Sequence, residues 1–462
     1  MLENFQSPYC ATDLSMYPPV PESGLVAPHP GLSAFFSAAG LDPENPFAPW
    51  IRPGMQVLVK PNWVRHASPQ WGDAQTLTTH SSLIRPVVEA ACAALRLPNG
   101  EYEGTVVLAD APLQSACFST LLHQAGIFPL LEFWRKLGLP VVLADLRALQ
   151  STVDESTGII LRSSVAPGDP LGYRVVDIGT ASRLEPLMRA GTSFGVSGYD
   201  NAVTNLHHQP GAHRYKIANS LLKADVVINL PKWKTHVKTG ITGALKNFIG
   251  INCDKDYLPH FRLGAPAQGG DEYPNSLASG LANRWRPTVE RLLPNSLLKP
   301  LREALQRSNT AAPGMVFGGA WPGNDTLWRT VHDMVFIARW LGPDGAKRSS
   351  PRPILTLLDA IVAGEGDGPL RPSARAMHTL VFGTDPGQVD VYAASLSGFS
   401  WHKIPLLRHL ADPEATAITR FPELHSLPSP TMDLAPPAAW RQLLSSAPLE
   451  ISDPRQFCVE VA

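Results

Sequence analysis

Four stretches of the chain end an apolar run in residues able to do chemistry. Val57-Leu58-Val59-Lys60-Pro61-Asn62-Trp63 ends in an ammonium and an amide, and Val106-Val107-Leu108-Ala109-Asp110 ends in a carboxylate. Asp225–Asn229 continues through Leu230-Pro231-Lys232-Trp233-Lys234-Thr235-His236-Val237-Lys238 to Thr239–Gly243, Lys246 and Asn247. Leu357-Leu358-Asp359 leads into Gly364-Glu365-Gly366-Asp367-Gly368-Pro369. Lysines neutralise phosphate or carboxylate, and so do the N–H groups of a helix start, which the small residues Thr239–Gly243 predict. Lys60, Asn62, Lys232, Lys234, Lys246 and Asn247 are therefore the candidate substrate contacts. Asp359, Glu365 and Asp367 are hard oxygen donors suited to a divalent cation such as Mg²⁺, and the glycines between them let backbone approach a ligand. His236, Glu365 and Asp110 are the candidate acid/base groups. Each stretch also has a plain structural explanation: a strand-end lysine, an N-capping Asp, a solvated basic loop or an acidic surface turn.

The elements that must position these groups follow from periodicity. Runs of strand length occur at Gln56–Lys60, Thr105–Ala109, Pro140–Ala144, Tyr173–Ile178, Asp225–Asn229, Ile354–Leu358 and Thr379–Gly383. Helical spacing marks Ser82–Leu95, Gln114–Ala125 and Pro386–Ser397, with Asp385 placed to cap the last and Asp390 inside its first turn. The alternation predicts an α/β fold: a mixed, mostly parallel sheet covered by helices. In such sheets ligands bind beyond the carboxyl ends of the strands, so the four loaded ends are expected to share one crevice. Residues 1–48 read as a Pro/Ser/Gly-rich N-terminal arm with one short helix near Leu32–Gly40 and little chemistry. Residues 49–400 read as the α/β domain, carrying a Pro/Gly-rich insertion at about 256–325 with short amphipathic stretches at Thr288–Leu293 and Leu297–Gln306. Residues 401–462 read as a wrapping tail.

Other residues weigh less. Trp63, Trp233, Trp321 and Trp328 adjoin polar loops, where indoles stack on rings or simply pack in the core. Asn324 or Asp325 is placed to cap a helix running to Trp340, with Arg329 and Asp333 sharing a face. His80 precedes a helix, and His207, His208 and His213 cluster without a zinc-ligand spacing.

Composition narrows the partners. The 39 Lys and Arg balance 40 Asp and Glu to a net charge of −1, leaving no global field for nucleic acid, so nucleic-acid binding is disfavoured. The five cysteines are scattered without a C-x-x-C pair, which speaks against a disulfide framework, a zinc ribbon or an iron–sulfur cluster. Neither a signal-peptide pattern nor an apolar stretch of spanning length occurs, so the expectation is a soluble, cytoplasmic protein without a membrane partner. No Walker sequence and no nucleophile elbow is present.

Val59-Lys60-Pro61-Asn62, the Asn229–His236 loop with Gly243-Ala244-Leu245-Lys246-Asn247-Phe248-Ile249-Gly250, and Asp359-Ala360 through Gly364–Pro369 followed by Asp385-Pro386 and Asp390 resemble, in order over about residues 55–400, the family catalogued as domain of unknown function 362. The resemblance implies that Lys60, Lys232, Lys234, His236, Lys246, Asn247, Glu365 and Asp390 occupy motif positions. Members often carry ferredoxin-like iron–sulfur modules, for which this chain lacks the cysteines. Two functional expectations remain open. One is an enzyme acting on a phosphorylated or carboxylated small molecule, by metal-assisted group transfer or by carboxylate chemistry, and the other is a non-catalytic ligand-binding or redox-linked accessory protein.

Overall fold

The computed structural model describes residues 8–69, 71–153, 160–196, 199–275, 318–419 and 434–444. The stretches at Thr288–Leu293 and Leu297–Gln306 lie outside the described residues.

Nine described strands form the main sheet. They are β1 (Tyr9–Ala11), β2 (Gln56–Pro61), β3 (Thr105–Asp110), β4 (Val141–Asp145), β5 (Val226–Leu230), β6 (Lys232–His236), β7 (Gly240–Thr242), β8 (Ile354–Glu365) and β9 (Ser373–Gly383). The order is β1-β9-β8-β5-β2-β3-β4, with β6 beside the far half of β8 and β7 beside β6. The pairs β8/β5, β5/β2, β2/β3, β3/β4 and β6/β8 are parallel, while β1/β9, β9/β8 and β6/β7 are antiparallel. The sheet is thus mixed and mostly parallel. Of the expected strands, Tyr173–Asp177 lies elsewhere, in a small sheet with Ala212–Ala218 and His208–Gln209.

Continuous apolar runs suit strands covered on both sides. Val57, Val59, Val106, Leu108, Val226 and Ile228 face one core, with α1 (Leu32–Ala38), α2 (Ser81–Ala94), α3 (Phe118–Gln124) and α4 (Ile127–Lys136). Leu58, Val107 and Val227 face the other, with α5 (Leu327–Trp340) and α6 (Pro386–Leu396). Among the described residues no helix is long and apolar enough to cross a membrane.

Three local readings are corrected. The helix expected from Gln114 begins only at Phe118, because the buried Arg147 guanidinium donates to the carbonyls of Leu113, Gln114 and Ala116 and holds them in a non-helical loop. Thr239–Gly243 does not open a helix: Gly240, at φ 78°, turns the chain so that β7 pairs back on β6, and a 3-10 segment follows at Lys246–Ile251. The N-terminal residues do more than cover the surface, since Tyr9–Ala11 extends the sheet and Val26, Phe35, Phe36 and Phe47 are buried in a core. Asp385 caps α6 through the N–H groups of Gly387 and Gln388. Asn324 accepts from the N–H groups of Thr326 and Leu327 at the start of α5. Arg329 turns back to Asp325 rather than to Asp333.

Candidate functional site

Chain direction locates the site. From β2 the path steps to β3 and β4 on one side and then returns to β5 on the other, so the strand order reverses between β2 and β5. At such a switch point the two connections leave in opposite directions and open a crevice at the carboxyl ends of the strands. Lys60 lies there, in register with Asn229 of β5, which is in turn in register with Thr356 of β8.

Lys60 and Asp110 end neighbouring parallel strands and form a buried ion pair at 2.7 Å. Asp110 also accepts the N–H of Trp63 at 2.7 Å and of Ala111 at 2.8 Å. Asn247 ties this pair to the next strand. Its Oδ1 accepts from Lys60 Nζ at 3.3 Å and Asn62 Nδ2 at 3.1 Å, while its Nδ2 donates to Asn229 Oδ1 at 2.7 Å and to the Lys60 carbonyl at 3.2 Å. Asn62 Oδ1 then accepts from Lys234 Nζ at 3.2 Å, and Lys234 completes its bonds on the carbonyls of Leu77 at 3.0 Å and Thr76 at 3.4 Å. Lys60 and Asn62 from the end of β2, Lys234 from β6 and Asn247 from the 3-10 segment, three segments in all, are therefore one hydrogen-bonded network. Gly250 is part of its geometry, because a Cβ there would collide with Asp110 and come within 2.6 Å of Lys60 Nζ.

A second set of basic groups adjoins this network. Lys246 opens the 3-10 segment that presents Asn247, and Asp390 pins the approach to it by accepting the N–H groups of Ala244 at 2.6 Å and Leu245 at 2.9 Å. Lys246 lies within electrostatic reach of Lys234, Lys238, Lys255, His236 and His260. Burial, followed by the neighbouring ammoniums of Lys238 and Lys255, pushes Lys246 down to about 7. Burial likewise pushes Lys238 and Lys255 down to about 8, against the pull of Glu272 on the first and Asp110 on the second. Lys255 donates to the carbonyls of Ala111, Asn252 and Ile249. Among the described residues no hydrogen bond or ion pair reaches the Lys246 ammonium.

His236 and His260 are both held neutral by burial and by these cations. They differ in tautomer. His236 Nδ1 accepts from the N–H groups of Lys238 and Thr239, which leaves its proton on Nε2. His260 Nδ1 faces the Leu258 carbonyl at 2.7 Å and must carry the proton, which leaves a lone pair on Nε2. One ring offers a donor and the other an acceptor.

Lys232, which is within electrostatic reach of Lys234, and Asp359 hold a different set of bonds. They form a buried ion pair at 3.2 Å, and Tyr17 hydrogen-bonds to both, at 2.6 Å from Lys232 Nζ. Asp359 accepts the His80 N–H as well, and the His80 ring stacks on Tyr17 and caps α2. Glu365 accepts the N–H of Ala435 and Asp367 that of Ala438, so both carboxylates fasten residues of the C-terminal segment. The three carboxylates expected to hold a cation are thus engaged by three different sets of partners. Among the described residues no group of three or more His, Cys, Asp or Glu side chains is placed to hold a metal ion, so Asp359, Glu365 and Asp367 do not gather into one such group.

The remaining motif residues are occupied structurally. Trp63 and Trp233 are fully buried, the first edge-on to Phe118 and the second donating to Ser397. Trp321 donates to the Asp271 carbonyl, and Trp328 stacks on His409. His208 contacts His213 and the Tyr257 carbonyl, His213 reaches Glu185, and His207 stacks on Tyr257. Sequence reasoning missed Tyr17, Lys238 as a site group, Lys255 and His260. Lys255 sits in Asp254-Lys255-Asp256, which reads as a solvated charge cluster, and Tyr17 lies in a segment credited with little chemistry. No local signal marked either.

Residues 188–395 match the family described as Domain of unknown function (DUF362). That span carries the lysine loop, Lys246-Asn247, the Asp359–Asp367 segment and Asp390. The curated proteins include no match. A crystal structure of a protein from Thermotoga maritima aligns at 12% identity and a TM-score of 0.27, covering 74% of this chain and 54% of that one, so the chain spans about half of that protein's length. A likeness that weak carries no argument about fold or function.

Proposed function

We propose that the chain is an enzyme acting on an anionic small molecule, phosphorylated or carboxylated, held at the switch point between β2 and β5. One observation carries the reading. Lys246 is half-buried beside Lys234, Lys238 and Lys255 and lacks an acceptor among the described residues. Gathering ammoniums away from water is costly unless they lose protons or meet an anion, and a bound anion lowers that cost for all of them together. In this reading Lys246 and Lys238 contact the anion. Lys60, Asn62, Lys234 and Asn247 hold the floor of the site, and Asp110 serves as counter-ion to Lys60 rather than as a proton carrier. His236 offers its Nε2–H to an oxygen of the substrate, and His260 offers a lone pair. Lys232, Asp359, Glu365 and Asp367 act structurally.

The test is calorimetric titration of the protein with inorganic phosphate, pyrophosphate and oxalate at low salt. Binding by at least one of them is expected, weakened about tenfold or more in Lys246→Ala, since a charge-assisted hydrogen bond is worth roughly 1.5–3 kcal/mol. Absence of binding by all three anions defeats the proposal. Binding undiminished in Lys246→Ala moves the site elsewhere.

A further inference from the structure

The lysines of the site differ in how they are satisfied. Lys60 has Asp110, Asn247 and the Pro61 carbonyl; Lys234 has Asn62 and two carbonyls; Lys255 has three carbonyls; and Lys232 has Asp359 and Tyr17. These bonds fix each group as a donor. Lys246 has no such bonds among the described residues, yet its backbone is fixed on both sides, by Asp390 before it and by the four hydrogen bonds of Asn247 after it. A lysine on a rigid segment, short of acceptors and surrounded by cations, is present in part as the free amine at neutral pH, where an ordinary lysine is almost wholly protonated. The free amine is a nucleophile.

We propose that Lys246 attacks the carbonyl carbon of an anionic aldehyde or oxo acid and forms a Schiff base with it, while the neighbouring cations hold the acid group. The inference rests on the anion-site reading and adds to it a substrate class and a bond. The Lys246 nitrogen lone pair forms the C–N bond, and the carbonyl π electrons move to oxygen, toward which His236 Nε2–H donates. The His260 lone pair takes a proton from nitrogen and returns it to that oxygen, giving a neutral carbinolamine. A further proton from solvent lets the hydroxyl leave as water, and the nitrogen lone pair closes the C=N bond of the iminium. The balance is one amine, one carbonyl and one proton giving one iminium and one water. No oxidant or reductant is consumed. The ionisable groups within electrostatic reach of Lys246 are Lys234, His236 and Lys238 from the β6–β7 hairpin and Lys255 and His260 from the segment after it, both histidines being neutral. Glu272 acts on Lys238 from the opposite sign.

The test traps the adduct. The full chain is incubated separately with glyoxylate, pyruvate, 2-oxoglutarate and glyceraldehyde 3-phosphate in the presence of cyanoborohydride, then digested and mapped by mass spectrometry. Reduced adduct is expected on the peptide carrying Lys246 at a rate at least ~10-fold above any surface lysine at neutral pH, since a lysine titrating about three units below the ordinary value is far richer in free amine. Lys246→Arg keeps a cation but cannot form an imine. In this variant the adduct should disappear while circular dichroism shows the fold of the wild type. Adduct on another lysine, adduct persisting in Lys246→Arg, or no adduct with any of the four probes while phosphate still binds would each overturn the Schiff-base assignment and leave the anion site standing. Loss of phosphate binding by the wild type as well brings down both.

Discussion

Replacing Asp110 by Asn tests the core of the site, because it removes one charge of a buried pair and keeps the shape. Lys60 is fully buried and Asp110 nearly so, with Nζ and Oδ1 2.7 Å apart. Breaking such a pair from one side typically costs about 3–5 kcal/mol, because the surviving charge is stranded. At an unfolding entropy of roughly 2.1 cal/mol/K per residue over 462 residues, each kcal/mol moves the melting midpoint by about 1 °C, so Asp110→Asn should melt about 3–5 °C lower at neutral pH. The pH dependence sharpens the test. Burial already lowers the pKa of Lys60, and Asp110 is the group that opposes this. In the variant the folded-state pKa falls further below the unfolded value, so the folded chain holds fewer protons than the unfolded chain between the two. Stability then rises with pH across that window, and the rise begins at a lower pH than in the wild type. Lys60→Met should cost less, about 1–3 kcal/mol, because Asp110 keeps the N–H groups of Trp63 and Ala111. Differential scanning calorimetry of the three proteins from pH 6 to 10 reads all of this. A variant melting within ~1 °C of the wild type, with an unchanged pH profile, would refute the claim that this pair organises the site.

Three further outcomes follow from the geometry. Gly250→Ala should displace Asp110 from Lys60, because the new methyl occupies space held by both groups, and should lower the melting midpoint and phosphate affinity together; a variant with wild-type affinity contradicts the placement. Tyr17→Phe removes a hydroxyl shared by Lys232 and Asp359 but leaves their ion pair, for a cost of about 1–3 kcal/mol read as a drop in the calorimetric midpoint with phosphate binding unchanged. Burial raises Asp390 to about 7, against the pull of two backbone N–H donors, so the folded protein binds the extra proton between about pH 4 and 7. Wild-type stability should therefore fall as pH rises through that range, and Asp390→Asn should flatten the fall.

The sheet was legible because it is built from the strongest local signal. Val57–Val59, Val106–Leu108 and Val226–Ile228 are uninterrupted apolar runs, and a strand covered on both faces has no polar side to obscure it. Lys60, Asp110, Lys234 and Asn247 were legible as chemistry because each follows such a run or sits in a dense motif. Their partners were not. Asp110 reads as an acid/base group or a helix cap until β2 and β3 are known to be neighbours, and Asp359 reads as a free carboxylate until Tyr17, some 342 positions away, is found on it. Glu365 and Asp367 misled for a related reason: glycines between carboxylates suit a ligand loop, but they suit equally a loop that fastens another stretch of its own chain. Thr239–Gly243 failed on turn chemistry, since small residues after a β-strand fit a hairpin as well as a helix start.

Pro231 lies between β5 and β6, and the two strands run in succession alongside β8, so the same extended stretch is buried wall at one end and reactive surface at the other. Lys232, Lys234 and His236 alternate with Trp233 and Thr235, and that parity separates the basic side chains from the indole packed in the core. Adding or losing a single amino acid just after the proline would exchange the two sides at a stroke, turning the indole away from its core and driving two lysines and an imidazole into hydrocarbon. Point changes here can be graded in effect; a change in length cannot, and descendants of this chain are free to vary the letters of the segment but not its count.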